Sequence, residues 1–411
     1  MGCQRTGWGG TDENGERRRR GDPAVTAPFR LFPDLAATPA ARDDAAALRA
    51  EVRAFVGEEQ ARGTITPGRQ TWTTFDRGFS ERCAARGYVA MTWPQEYGGH
   101  GRSAFERFVV CEELLAAGAP LGAHWIADRQ SGPQIMRHGR DAIRREILPR
   151  IAAGRCTFGI GMSEPDSGSD LSSIRTRADR VPGGFRLEGR KVWTTNAQHA
   201  DYVICLCRTE PRTEDRYAGL SQLVVPMRAE GVTVRPLVNL AGEHELNEIT
   251  FDGTFVPEDH LLGAGGDGWK LVTEELAFER SGPDRFLSTF GLLAILVGIV
   301  GTEPDRHAAI EVGRLVARLS AIRQLSLAIT DRLGRGERAS GLATIMKDLG
   351  TALEQEIPEV ARKLVDVMPA PDGDAAAGAL ASAILNAPCF SLRGGTREIL
   401  KGIIARELGL R

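Results

Sequence analysis

Gly161-Met162-Ser163-Glu164-Pro165-Asp166-Ser167-Gly168-Ser169-Asp170 decides how the rest of the chain is read. Small and hydroxyl residues crowd a turn directly after an apolar run, Thr157 to Met162. Backbone N–H groups and Ser hydroxyls in such a turn can hold a pyrophosphate or a cofactor edge. A plain Asp/Ser/Gly loop has the same composition, so the turn alone leaves both readings open. Downstream the short β-rich segments continue: Phe185 to Leu187, Tyr202 to Cys207, Leu223 to Met227 and Glu248 to Phe251, with Pro182-Gly183-Gly184 as a hairpin turn. The block 156–267 reads as an antiparallel β domain. It holds no βαβ alternation and no GxGxxG, which disfavours a doubly wound dinucleotide fold.

Helical periodicity flanks this block on both sides. Upstream, Leu48, Val52, Phe55 and Val56 recur at i, i+4, i+7 and i+8. Phe75 to Ala85 repeats the habit and stops at Gly87, and further helices follow at 103–117 and 141–153. Trp93 to Gly99 is a Pro/Gly turn. Downstream the spacing predicts helices over 268–280, 285–300, 304–333, 340–367 and 374–410. The domains are therefore 1–40 (disordered tail and lead-in), 41–155 (helical), 156–267 (β) and 268–411 (helical bundle), an α+β chain.

Composition narrows the function classes. The 411 residues are 42% hydrophobic, and 52 Lys plus Arg against 54 Asp plus Glu leave a net charge of -2. This is no nucleic-acid footprint, and no apolar run reaches the roughly 18 residues that span a bilayer. Seven scattered Cys without CxxC spacing argue for a reducing cytoplasm, and seven His without ligand spacing argue against a bound metal. The Arg17–Arg20 run in the Gly-rich tail is followed by no apolar segment, so it is no secretory signal.

Two more segments carry chemistry. In Gly189-Arg190-Lys191-Val192-Trp193-Thr194-Thr195-Asn196, Trp193 offers a flat face and Thr195 a hydroxyl two residues along the same strand face. In Arg393-Gly394-Gly395-Thr396, two glycines precede a helix and leave backbone N–H groups free at a close-approach site. In this order and spacing the three segments resemble the acyl-CoA dehydrogenases over residues 41–411. Trp93 to Gly99 and Ile147-Leu148-Pro149 to Gly154 fit the N-terminal domain of that family.

The resemblance implies a helical N-domain, a middle antiparallel β-barrel and a C-terminal four-helix bundle, in homodimers or homotetramers. It implies FAD, with Ile160, Met162 and Ser163 beside the isoalloxazine and Ser169 on the phosphates. Trp193 and Thr195 would cover the ring, and Thr396 would approach from the last domain. It also implies electron transfer to an electron-transfer flavoprotein.

The pattern is broken where most members carry the Glu that removes the α-proton. That position is Gly394, which has no side chain to accept a proton. Ala277-Phe278-Glu279-Arg280 resembles the place where the isovaleryl-CoA and long-chain branches keep their catalytic Glu, which assigns the base to Glu279 and substrate contact to Arg280 and Gly394. An Arg-x-x-Phe-Gly segment and a Gln-x-x-Gly-Gly segment, expected at cross-subunit FAD contacts, are replaced by Asp305 to Ala309 and Val367 to Pro371. The expected activity is α,β-dehydrogenation of an acyl-CoA or acyl-carrier-protein thioester. The alternatives are a non-catalytic partner subunit of a hetero-oligomer and a flavin monooxygenase.

Overall fold

The computed structural model describes residues 39–68, 72–337 and 339–410. Most of the expected tail at 1–40, and the side chains of 39–44 and 277–279, lie outside the described residues. The described residues begin with α1 (Pro39–Ala61), α2 (Arg77–Ala85), α3 (Ala104–Ala117), α4 (Gly132–His138) and α5 (Asp141–Ala152). The apolar stripe of α1 is buried as its spacing requires, with Phe55 5.7 Å from Phe79 and 5.6 Å from Tyr88 between ring centroids. Asp76 caps α2 by accepting from the Phe79 N–H, and Ser103 with Glu106 forms a reciprocal capping box on α3. Each satisfies backbone donors that a helix start otherwise leaves unpaired.

The β region contains β1 (Phe158–Gly161), β2 (Arg177–Val181), β3 (Gly184–Thr195), β4 (Tyr202–Arg208), β5 (Leu220–Pro226), β6 (Val232–Leu237), β7 (Leu246–Pro257) and β8 (Leu261–Leu262). They form one sheet in the order β6-β7-β3-β2-β4-β5-β8, with β1 paired to β4. This corrects the expected antiparallel barrel in two respects. Pairing does not close from β6 to β8, and β1 and β2 both pair with β4 in parallel. Two strands share one edge of β4 because β1 is only four residues long. The expected hairpin at Pro182-Gly183 joins β2 to β3, with Gly183 at φ +83.

The C-terminal part carries α6 (Gly268–Ser281), α7 (Phe290–Val300), α8 (Arg306–Gly334), α9 (Ser340–Leu364), α10 (Ala375–Phe390) and α11 (Arg397–Glu407). Helix α9 is central and packs on the other five. One apolar core runs through the N- and C-terminal helices together, from Val52 and Val109 to Leu315, Leu353 and Leu380. Within it Glu112 of α3 accepts from Arg49 of α1 at 2.7 Å and from Arg323 of α8 at 2.8 Å.

The helix expected over 374–410 is two helices, because Gly394 (φ +66) and Gly395 (φ +98) take left-handed backbone between them. The helix expected from 285 starts at Phe290, after a 3₁₀ turn at Pro283–Arg285. No helix among the described residues is long and apolar enough to cross a membrane.

Candidate active site

Strands β1 and β3 pack closely because two residues of β1 are glycines. A Cβ on Gly159 would lie 2.9 Å from Thr194 Cγ2, and one on Gly161 would lie 3.2 Å from Lys191 Cγ. The turn that follows β1 is tied by an ion pair not anticipated from the sequence. Lys191 is fully buried, and its Nζ donates to Glu164 Oε1 and to the Met162 carbonyl, both at 2.9 Å. Glu164 also accepts from the N–H groups of Arg175 (2.7 Å) and Thr176 (2.9 Å). Burial by itself opposes ionisation of Glu164, but the Lys191 ammonium and these donors outweigh it and hold the carboxyl below its ordinary range. The Val192 N–H donates to the Ser163 carbonyl at 2.9 Å. Ile160, Met162 and Ser163 are thereby left half-exposed, and Ser169 is exposed.

Trp193 sits at a β-bulge: Lys191 pairs with Ile249 and Thr194 with Asn247, so β3 carries one residue more than β7 between them. Its backbone is left-handed (φ +65) and its side chain is 60% exposed. A bulky residue in that conformation is held there by its surroundings, and such strain collects at functional sites. Thr194 beside it is buried with an unpartnered hydroxyl, while Thr195 is half-exposed. An exposed indole, the half-exposed Thr195 and the half-exposed Ile160, Met162 and Ser163 fit the ring system of a flavin.

The second half of the site is the 390–396 turn. Arg280 Nε donates to the Gly394 carbonyl at 3.0 Å, which joins two residues singled out from the sequence. Lys347 Nζ donates to the carbonyls of Phe390 (3.3 Å) and Gly395 (3.2 Å), and Thr351 Oγ1 to that of Phe390 (3.2 Å). Arg393 lies over the rings of Trp72 and Phe390, at 5.4 and 4.8 Å, and donates to Glu354 at 2.8 Å and Ser288 Oγ at 2.7 Å. Thr396 caps α11 through the Ile399 N–H. Glu279 lies on the last turn of α6, with its side chain outside the described residues.

Asp284 is fully buried and pairs with Arg129 Nη1 (2.6 Å) and Arg285 Nε (3.1 Å). Burial opposes its ionisation, yet the two guanidiniums hold its pKa below the ordinary value, so it is a structural counter-ion. The opposite case is Glu245, whose carbonyl accepts from Asn196 N–H at 2.7 Å just beyond the Trp193 strand. Burial pushes the Glu245 carboxyl up, against a hydrogen bond from Thr73 and the charge of Arg393. Asn239 Nδ2, between β6 and β7, donates to Asn386 Oδ1 of α10 at 3.4 Å and ties the β region to the C-terminal helices.

Comparison with known proteins agrees with this geometry. Residues 42–155 match the acyl-CoA dehydrogenase N-terminal domain and 159–254 the acyl-CoA dehydrogenase middle domain. The acyl-CoA dehydrogenase IpdE1 of Mycobacterium tuberculosis is 31% identical over 385 residues, covering 89% of this chain and 98% of that protein. The chain belongs to the acyl-CoA dehydrogenase family. As a member it is a flavoprotein oxidoreductase acting on CH–CH bonds, in a family of FAD-dependent enzymes.

Two solved structures share the fold closely. The Mycobacterium tuberculosis ChsE4-ChsE5 complex has a TM-score of 0.77 and 28% identity, covering 92% of this chain and 99% of that one. The Tcur3481-Tcur3483 steroid ACAD has a TM-score of 0.76 and 27% identity, covering 92% and 98%.

Proposed function

We propose that this acyl-CoA dehydrogenase family member is a cytoplasmic enzyme that removes the α-proton and β-hydride of an acyl thioester, with Glu279 as the base. The observation that carries the reading is the Arg280–Gly394 hydrogen bond. It holds the helix turn bearing Glu279 against the turn from which the usual carboxylate is missing. Bound FAD would supply the hydride acceptor and a further donor to the thioester carbonyl. On this chain Ile160, Met162, Ser163, Trp193, Thr195 and Thr396 hold the flavin and Ser169 its phosphates.

A carboxylate is far too weak a base for the α-proton of a free thioester. The carbonyl must therefore be polarised by fixed donors, each contributing about 3–4 kcal/mol in comparable sites. The Gly394 N–H is the chain's own donor, and glycine keeps it. The polarising device and the base are thus separable, one on the backbone of the turn and the other on α6.

The domain limits 41–155, 156–267 and 268–411 belong to this reading, as do electron-transfer flavoprotein as acceptor and a homodimer or homotetramer. A second assembly is favoured by one observation. The replaced adenine-end segment, Val367 to Pro371, includes Met368 at 82% exposed, a surface that a second, different subunit would cover. The ChsE4-ChsE5 structure of Mycobacterium tuberculosis is such a two-protein complex. The steroid ACAD likeness adds polycyclic acyl thioesters to the substrate panel.

The test is anaerobic flavin reduction against acyl-CoA and acyl-carrier-protein thioesters, with Glu279→Gln beside wild type. The variant should stay yellow and bind thioester, yet lose at least about 100-fold in reduction rate. Reduction near the wild-type rate would remove Glu279 as the base.

A further inference from the structure

Lys347 lies on α9 with no exposed surface. A buried ammonium costs several kcal/mol unless polar groups surround it. Here Nζ addresses two carbonyls of a single turn, Phe390 at 3.3 Å and Gly395 at 3.2 Å. Arg280 reaches the carbonyl between them in sequence, that of Gly394, at 3.0 Å.

Peptide planarity gives these contacts a consequence. In a trans peptide the C=O and the following N–H point in opposite directions. A Gly394 carbonyl fixed on Arg280 turns the Gly395 N–H away from Arg280. A Gly395 carbonyl fixed on Lys347 turns the Thr396 N–H away from the buried ammonium. The N–H groups of Gly394, Gly395 and Thr396 have no backbone acceptor among the described residues. Gly394 and Gly395, at φ +66 and +98, have no Cβ to restrict them, so the cations supply the restraint that the side chains do not. A cation on the carbonyl also polarises the peptide and strengthens its N–H as a donor.

We propose that Lys347 is a positioning residue for the thioester: by holding the Gly395 carbonyl it aims and strengthens the Thr396 N–H, two residues beyond the Gly394 N–H, at the substrate carbonyl. This rests on the proposed dehydrogenation but concerns the polarisation step alone. It is therefore read with a thioester that binds without reacting, an aryl-acryloyl-CoA whose absorption moves to longer wavelength as its carbonyl is polarised.

Wild-type holoenzyme should give that red shift. Lys347→Met should bind the probe with most of the shift lost, and should reduce flavin about 10–100-fold more slowly with KM changed by less than about threefold. Lys347→Gln, a shorter neutral donor, should fall between the two.

Because a buried Lys variant can fail to fold, Gly395→Ala provides a second route. Its Cβ would lie 3.2 Å from Arg280 Nη2 on left-handed backbone and would tilt the same peptide without touching Lys347. It too should lose red shift. If the folded Lys347 variants, or Gly395→Ala where those do not fold, shift the probe as wild type does, the proposal is overturned while the dehydrogenase reading stands. If wild type itself neither binds nor shifts the probe, the dehydrogenase reading fails first.

Discussion

Replacing Glu164 with Gln asks whether charge holds the Met162–Asp170 turn. One Glu164 oxygen accepts from Thr176 N–H and Lys191 Nζ, both at 2.9 Å, and the other from Arg175 N–H at 2.7 Å. Gln places an NH₂ at one of these oxygens, so a donor faces a donor whichever way the amide turns. The buried Lys191 ammonium also loses its counter-charge. Breaking a buried pair from one side costs about 3–5 kcal/mol. Lys191 keeps the Met162 carbonyl at 2.9 Å, which sets the expected loss at the lower end, about 3 kcal/mol. A kcal/mol moves Tm by roughly 2–4 °C in chains of 150–250 residues and by less in longer ones, so the drop should be about 4–10 °C.

The assay is thermal unfolding followed by circular dichroism, with flavin absorbance per protein beside it. Flavin content should fall too, since the turn carries Met162, Ser163 and Ser169. Glu164→Gln/Lys191→Met should recover part of the loss, because neither charge is then stranded. Acid gives an independent reading. The Glu164 pKa lies below its ordinary value of 4.5, so the folded chain binds fewer protons here than the unfolded one. Its contribution is complete above about 4.5 and disappears as pH falls through the folded value. Glu164→Gln should therefore lose less stability on acidification than wild type. A Tm drop under about 2 °C, or an additive double variant, would refute the view that this pair fixes the turn.

Two further outcomes follow from the same site. Trp193→Ala should lower bound FAD while changing apoprotein stability by less than about 1 kcal/mol, because the indole is 60% exposed; the flavin-to-protein absorbance ratio and an apoprotein melt check both. Gly394→Ala should cost about 1–2 kcal/mol in stability from its φ of +66; chemical denaturation with an unchanged midpoint would show that the turn does not need left-handed backbone.

The order helical, β, helical is legible in the sequence because the apolar period changes near Gly154 and again near Gly268. Strands β2 and β6 escape notice for a physical reason. Arg177–Val181 (RADRV) and Val232–Leu237 (VTVRPL) are mostly solvated, with only Ala178 of the two segments fully buried, so neither carries the apolar run that marks a core strand. The parallel pairing of β1 with β4 joins residues 44 positions apart, as Phe158 with Tyr202, and no local pattern encodes it. The 374–410 stretch reads as one helix because its apolar spacing continues across the break. The signal for the break is Gly394-Gly395 itself, two glycines directly before a helix start, although the apolar spacing runs on across it. Glu164 and Lys191 lie in two separate motifs, and their pairing spans 27 residues and becomes visible only in the fold.

Helix α9 explains how this turn can do without a carboxylate of its own. Lys347, Thr351 and Glu354 recur at i, i+4 and i+7, so they share one helix face. All three are buried there among Ala343, Met346, Leu353 and Ile357. Polar residues on an apolar stripe are costly unless each finds a partner. Each finds one in the same turn: Lys347 on Phe390 and Gly395, Thr351 on Phe390, Glu354 on Arg393, and Glu354 also accepts from the Ser288 N–H at 2.9 Å. Gln355, one residue on, takes the Ala387 carbonyl at 2.9 Å. A hydrophobic stripe would seat α10 and α11 equally well against α9, but it would not fix the peptide planes between them. The hydrogen-bonding stripe does fix them, and its contacts within the turn go to backbone carbonyls and to Arg393, none to the side chain at 394. The turn can therefore keep its shape and its N–H donors with glycine at 394, and a base on α6 need only be brought alongside, which the Arg280–Gly394 bond accomplishes.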